Sequence, residues 1–191
     1  DASALEAYKL LPYQYDMLIA RLEPENSIEI ILDGVAKANC ARPFLVIGNH
    51  ETAYGNYLKE KFASHAQIQF VGGIYNMELL NNLRYYSNIY FHGHTVGGTN
   101  PSLLEAMASN SLICANDNAF NRYILGNDAL YFNNQNDIAK HLVNVTYSKD
   151  TFQTMLQENS SKITNIYDWE FIIDQYAQHF TSILEMHTNK R

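Results

Sequence analysis

The chain has 191 residues, 47% hydrophobic and 17% charged, with a formal net charge of −7. That length and apolar content support one domain with a substantial core and exclude a disordered, collagenous or disulfide-framed protein. The acidity, without any cluster of Lys or Arg, removes the basic footprint a nucleic-acid surface needs and argues against broad contact with an anionic membrane.

The first dozen residues, Asp1 to Pro12, read as a connector feeding the domain. Tyr15 to Ala20 reads as a strand, and Ser27 as the cap of a helix reaching about Asn39, with Ile28, Ile31, Leu32 and Val35 on one face. Phe44 to Ile47 is a second strand, ending at Gly48, and Thr52 caps a helix to about Ala63. Ile68 to Val71 is a third strand, broken by Gly72-Gly73, after which Asn76 begins a helix through Leu79, Leu80 and Leu83. Asn88 to Phe91 is a fourth strand. A glycine-rich loop from His92 to Asn100 follows, and Pro101 opens a helix through Ala108, proline being well placed at a first helical position. Ser111 to Cys114 and Ala129 to Phe132 are the last strands, and the chain from about Asp137 is helical. It closes with an amphipathic helix from Trp169 to about Glu185 that carries Phe171, Ile172, Tyr176, Phe180 and Leu184.

Repeated strand–helix units with uninterrupted apolar strands predict a parallel sheet covered on both faces. The expected fold class is therefore α/β, a Rossmann-like doubly wound domain over residues 13–146, with a linker at 1–12 and a helical extension at 147–191. Cys40 and Cys114 form no C-x-x-C pair and read as reduced, buried thiols of a cytoplasmic protein. No apolar run is long enough to cross a bilayer, and no secretory leader is present. The chain begins at Asp1 and reads as a piece excised from a longer protein.

In doubly wound sheets the ligand lies outside the carboxyl ends of the strands, at the switch in strand order. Neither G-x-G-x-x-G after the first strand nor G-x-x-x-x-G-K-[ST] occurs, and there is no G-x-S-x-G elbow. The densest feature is the run from His92 to Ala108. Its glycines let the backbone approach a ligand and turn amides toward it, and the helix begun at Pro101 points its positive end into the same space. Glycine loop plus helix N-terminus is a recipe for phosphate. Glu105, one turn into that helix, is placed to accept hydrogen bonds from the paired hydroxyls of a ribose.

These residues carry a resemblance. Leu103-Leu104-Glu105-Ala106-Met107-Ala108 resembles the end of the E-x7-E motif of glycosyltransferase family 4. The string H-G-H-x-V-G-G-T-N-P-S-L-L-E-A-M is similar to a branch of that family found in bacterial polysaccharide rhamnosyltransferases. Arg21-Leu22-Glu23-Pro24-Glu25-Asn26 resembles the family's G-R-L-x-P-E-K segment, and the two motifs in order span most of Tyr15 to about Asn144.

The resemblance implies the donor-binding half of a two-domain GT-B enzyme, a retaining hexosyltransferase that needs neither cofactor nor divalent metal. Arg21 would contact the diphosphate and Glu105 the ribose, as the catalytic pair. The backbone of Thr99, Asn100, Ser102 and Leu103, with Gly97 and Gly98, would line the phosphates and the sugar. Gly72, Ile74 and Tyr75 would hold the base, with Gly48 beside them, and His94 would reach the donor sugar. Partners implied are a nucleotide-sugar donor, dTDP-rhamnose first, and a glycan or lipid-linked acceptor brought by an N-terminal domain. The complete enzyme would work in the cytoplasm, with peripheral association at the inner face of the membrane, and the fragment alone would bind donor without turnover. The last helix resembles the one that crosses back to the partner domain.

The sequence departs from the pattern at Gly97, where the first glutamate of E-x7-E falls, at Asn26, where the family has a phosphate-binding Lys, and at Ala20, usually Gly. Asn26 retains one donor for the diphosphate but no charge. Other readings are weaker. His50, His92 and His94 would suffice for zinc if they met, and Arg84 and Arg122 read as surface cations. A nucleotide-sugar 2-epimerase-like enzyme shares the architecture, and a non-catalytic flavodoxin-like ligand-binding domain would need an acidic pocket or flavin loop that is not seen.

Overall fold

The computed structural model describes residues 1–188, so the last three residues of the expected C-terminal extension lie outside it. The sheet consists of β1 (Asp16–Ile19), β2 (Phe44–Ile47), β3 (Ile68–Gly72), β4 (Tyr90–His92), β5 (Ile113–Asn116) and β6 (Leu130–Phe132). All pair in parallel, in the order β3-β2-β1-β4-β5-β6. This is the doubly wound α/β arrangement the alternating pattern predicts. β2 is buried at every residue, as a strand covered on both faces must be.

The helices are α1 (Ile28–Ala38), α2 (Ala53–Lys61), α3 (Met77–Tyr85), α4 (Pro101–Ala108), α5 (Ala119–Leu125), α6 (Gln135–Asn144), α7 (Lys149–Asn165) and α8 (Trp169–Thr188). Side-chain caps define most of their starts: Thr52 accepts from Gly55 N–H, Asn76 from Leu79 and Asn100 from Ser102. Ser27 differs from the expectation. A 3-10 turn at Pro24–Asn26 throws it into the left-handed region at φ 50°, and its hydroxyl caps nothing.

The two faces of the sheet hold two cores. One gathers Ile28, Ile31 and Leu32 of α1 with Phe44, Phe91 and Phe132, and α6 closes it through Ile138 and Leu142. Gly34 permits that closure, because a methyl there would overlap Ile138. The other core gathers Met17, Leu45, Tyr90 and Ile113 beneath α3, α4 and α5. The segment read as a connector is part of this second core. Ala2–Tyr8 forms a 3-10 helix that buries Leu5 against it, with Leu10 following.

At the amino edge of the sheet the buried Asp16 accepts from Arg42 at 2.6 Å and from Asn88 at 2.7 Å, while Asn88 also takes the Tyr147 N–H. Burial pushes the Asp16 carboxyl up, opposed by Arg42 and these hydrogen bonds. Every group here has a partner inside the chain, so this edge ties the fold together. The opposite edge does not.

Beyond β6 the expected extension divides in two. α7 is anchored to the domain: Lys162 pairs with Asp128 at 2.6 Å and donates to the Leu125 carbonyl, and the buried Asn159 donates to Asp128 O. α8 carries Trp169, Ile173, Tyr176 and Phe180 largely exposed to solvent. No described helix is long and apolar enough to cross a membrane.

Candidate functional site

The order of strands reverses between β1 and β4, and the crevice lies between the loops that leave their carboxyl ends. Two adjoining cavities open there, of about 360 and 440 Å³, and share Ile19, Ala20 and Arg21. The first is closed by Gly48, Asn49, Gly73, Ile74 and Tyr75, and the second by Asn26, His94, Asn100, Ser102 and Glu105. Together they have the size of a ligand cleft. A larger groove, about 800 Å³, runs between α3 and α4 on the far side of Glu105. The charged side chains lining it are the carboxylates of Asp1, Glu78 and Glu105, which disfavours an anionic occupant. The crevice carries carboxylates too, Glu23, Glu25 and Glu105, but unlike the groove it also has a cationic side chain, Arg21, with which to meet a phosphate.

Arg21 stands on the ridge between the two cavities, exposed and without an ion pair or side-chain hydrogen bond among the described residues. Its backbone is held in place. The Asn26 amide donates to the Arg21 carbonyl at 2.7 Å, and Asn26 is buried. The amide that sequence analysis aims at a phosphate is thus committed to shaping the turn that presents Arg21.

The glycine loop is pinned at its root and free at its tip. Thr95 donates from N–H and hydroxyl to the Glu25 carbonyl, while Asn118 and Asn121 both donate to the His94 carbonyl, at 3.0 and 3.2 Å. Asn118 caps α5, a helix that no periodicity in the sequence announces, and its role is a finding of the structure. By contrast, the amides of Gly97, Gly98, Thr99 and Asn100 donate to nothing within the described residues. The start of α4 is already satisfied: the Asn100 side chain accepts from Ser102 N–H and Oγ, and the Asn100 carbonyl from Leu103 N–H. Leu103, expected among the donor-lining backbone, is a wholly buried core residue whose amide is spent. The available anion donors sit three to six residues earlier than Leu103, in the loop.

Glycines divide the same way. A methyl at Gly93 would overlap the Asn26 carbonyl, and one at Gly48 would overlap Ala20 O, so both permit loop-on-loop contact. Gly97 (φ +114°) and Gly98 face open space, with nothing within 4 Å of an added Cβ. Gly93→Ala should therefore lower the unfolding midpoint by several degrees, a cost of about 1–3 kcal/mol for forced overpacking. Gly98→Ala should leave the midpoint within about 1 °C and weaken anion binding instead, by blocking approach to the amides. Thermal melts with and without nucleotide test the pair. Equal loss of stability in both variants would contradict the division.

His94 flanks the crevice. Its imidazole is held below its ordinary value by burial and by the nearby Arg21 charge, with Glu25 opposing. It is thus neutral at pH 7 and able to donate or accept. It stacks on His92 at 4.4 Å, whose pKa burial and His94 lower to about 3, while His50 packs edge-on against Phe70, away from that pair. The three imidazoles do not converge, and the described residues contain no group of three His, Cys, Asp or Glu placed to hold a metal.

Tyr75 is almost fully exposed, with its hydroxyl over Gly73, and Ile74 is half-buried in the second core. Gly72 supports this wall from behind, accepting from Gly48 N–H at 2.9 Å. Arg122 is exposed but engaged, paired with Asp117 through two hydrogen bonds and lying over the Tyr131 ring at 3.5 Å. Arg84 is not a surface cation: it is 1% exposed and ion-pairs with Glu105. A signal was present, since Arg84 falls four residues after the buried Leu80 on the core face of α3.

The fold recurs in solved glycosyltransferases. HepE of Anabaena, in complex with UDP-glucose, superposes with a TM-score of 0.82 at 14% identity over 95% of this chain and 52% of that one. Sucrose-phosphate synthase from Thermosynechococcus elongatus gives 0.77 at 17% identity, covering 97% of this chain and 49% of that one. The C-terminal domain of a group 1 glycosyl transferase, LpcC, from Francisella tularensis gives 0.70 at 18% identity, covering 88% and 93%. The chain thus spans about half the length of the full-length enzymes and nearly all of the isolated domain. No protein-family model and no curated protein sequence matches it.

Proposed function

We propose that this chain is the donor half of a glycosyltransferase and that the crevice at the β1/β4 switch holds a nucleoside diphosphate sugar. One observation carries the reading: Arg21, unpaired among the described residues, and Asn100, whose amide donates to nothing, line a ligand-sized crevice with Glu105 at its rim, and the undonated amides of Gly97, Gly98 and Thr99 precede Asn100 in the same loop. Such an array binds a diphosphate and stabilises charge that develops on it as it leaves. The base would lie in the first cavity, along Gly73 to Tyr75, and the sugar beside His94 and Gly97.

The complete enzyme would be a retaining transferase working without divalent metal, building a cell-surface glycan at the cytoplasmic face of a membrane. The other half would bring the acceptor and cover α8, and this half alone would bind donor and not turn it over. HepE suggests a uridine donor. The string around the glycine loop suggests dTDP-rhamnose.

Calorimetric titration with UDP, dTDP and GDP, each with EDTA and again with Mg²⁺, is the test. The expected result is micromolar affinity for one nucleotide, unchanged by metal, and a loss of about tenfold or more in Arg21→Ala. A charge-assisted hydrogen bond contributes about 1.5–3 kcal/mol, and 1.4 kcal/mol is tenfold. The reading fails if none of the three binds, or if Arg21→Ala binds as tightly as the parent chain.

A further inference from the structure

We propose that Arg84 is a positioning residue of the nucleotide site, holding Glu105 by one carboxylate oxygen so that the other stays presented to the crevice and selects a ribonucleotide over its 2′-deoxy counterpart. The inference rests on the donor-site reading above and adds to it a residue outside the crevice.

Arg84 lies in the last turn of α3 and is 1% exposed. A guanidinium keeps its charge at any pH the fold survives, so its burial demands an anion. Among the described residues that anion is Glu105 alone; its neutral side-chain neighbours are Asn81, whose Oδ1 accepts from Nη1 at 3.0 Å, and the buried Tyr90 hydroxyl, and Nε has no partner. The pair is asymmetric. Arg84 is enclosed, whereas the Glu105 side chain is 38% exposed and lines the crevice beside Ser102 and Asn100. Only Oε2 is engaged; Oε1 accepts nothing from the described residues.

A free glutamate would sample several rotamers, and ordering it on ligand binding costs side-chain entropy. Arg84 removes that freedom before the ligand arrives, which is preorganisation of the acceptor. A carboxylate oxygen fixed at the rim offers lone pairs to two adjacent hydroxyls at once. Loss of one hydroxyl leaves part of that capacity unused, and this makes the site sensitive to the 2′ position.

The experiment measures dissociation constants of UDP and dUDP, by calorimetry, for the whole chain and for Arg84→Met, Arg84→Lys, Glu105→Gln and the Arg84→Met/Glu105→Gln double variant. Urea unfolding of each monitors the fold. Expected are a preference for UDP of tenfold or more in the parent, its reduction to below threefold in Arg84→Met with folding retained, and a double variant no weaker than Glu105→Gln. Arg84→Lys, which keeps the charge without the planar fork, should fall between and serves if Arg84→Met does not fold. An Arg84→Met chain that keeps the parent's UDP affinity and preference overturns the inference while leaving the donor site standing. So does a parent that binds UDP and dUDP equally. A parent that prefers dTDP, itself a 2′-deoxy nucleotide, over UDP likewise overturns the inference and leaves the donor site standing, whereas one that binds none of UDP, dTDP and GDP overturns the donor-site reading, and the inference falls with it.

Discussion

Glu105→Ala should destabilise the fold by about 3 kcal/mol, near the lower bound for stripping the partner from a buried ion, because water reaches the Glu105 side of the pair. The cause is Arg84, which would keep its charge against α3 with only neutral side chains, Asn81 and Tyr90, beside it. For a chain of this length such a loss lowers the melting temperature by roughly 6–12 °C. Adding Arg84→Met should restore most of it, since an apolar side chain of similar volume removes the buried charge altogether. Urea unfolding of the two single variants and the double completes the cycle. An unchanged midpoint for Glu105→Ala would mean that Arg84 is hydrated in the folded protein. The prediction also governs how the site is probed: lost nucleotide affinity in Glu105→Ala alone mixes a missing contact with a weakened fold, and the double variant separates them.

The second large effect is acid lability centred on His92. Its side chain is buried, neither ring nitrogen finds a partner, and burial together with His94 lowers its pKa to about 3. The unfolded chain takes up this proton near pH 6.5. Stability that His92 supports is therefore complete above that pH and is lost as pH falls from about 6.5 toward 3, at about 1.4 kcal/mol per pH unit. At pH 5 the loss relative to pH 7.5 amounts to about 2 kcal/mol, and His94, shifted in the same direction, adds to it. His92→Phe keeps an aromatic ring against His94 and Tyr90 while removing the titration. It should flatten the pH profile and gain about 1 kcal/mol at pH 7.5, because two orphaned nitrogens leave a core. A His92→Phe variant as acid-sensitive as the parent would move the effect to other groups.

The sequence made the fold legible because its signals were redundant. Continuous apolar strands, capping residues such as Thr52, Asn76 and Asn100, and Pro101 at a helix start all agree with the sheet that forms. α5 escaped because seven residues between Asn118 and Gly126 are too few for an amphipathic period to stand out. Leu5 escaped because one buried leucine in a 3-10 helix has no periodicity at all. In the site, residue types were easier to read than commitments. Arg21 and the two ends of the glycine loop, His94 and Asn100, line the crevice at the β1/β4 switch. Asn26 lines the crevice but its side-chain amide serves the turn, and Leu103 is buried in the core with its amide spent on the helix start. Hydrogen-bond satisfaction is a property of three-dimensional neighbours and leaves no trace in spacing. Arg84 misled for a related reason: buried arginines are rare, and the carboxylate that makes this one tolerable lies 21 residues away.

The strand order also bears on how the chain assembles. β1 pairs with β2 and with β4, and the second pairing brings Met17 to Tyr90 across the whole of the intervening β–α units. It is the most non-local contact of the central strand and bears the largest loop-closure entropy. The crevice opens along this seam, with Arg21 on its early bank and His94, Val96 and Asn100 on its late one. A diphosphate bound as proposed would bridge the two banks and act as a clamp across the join. By mass action, nucleotide at a hundred times its dissociation constant would add about 2.7 kcal/mol to the folded state, and the added protection from hydrogen exchange would be greatest along the β1/β4 ladder.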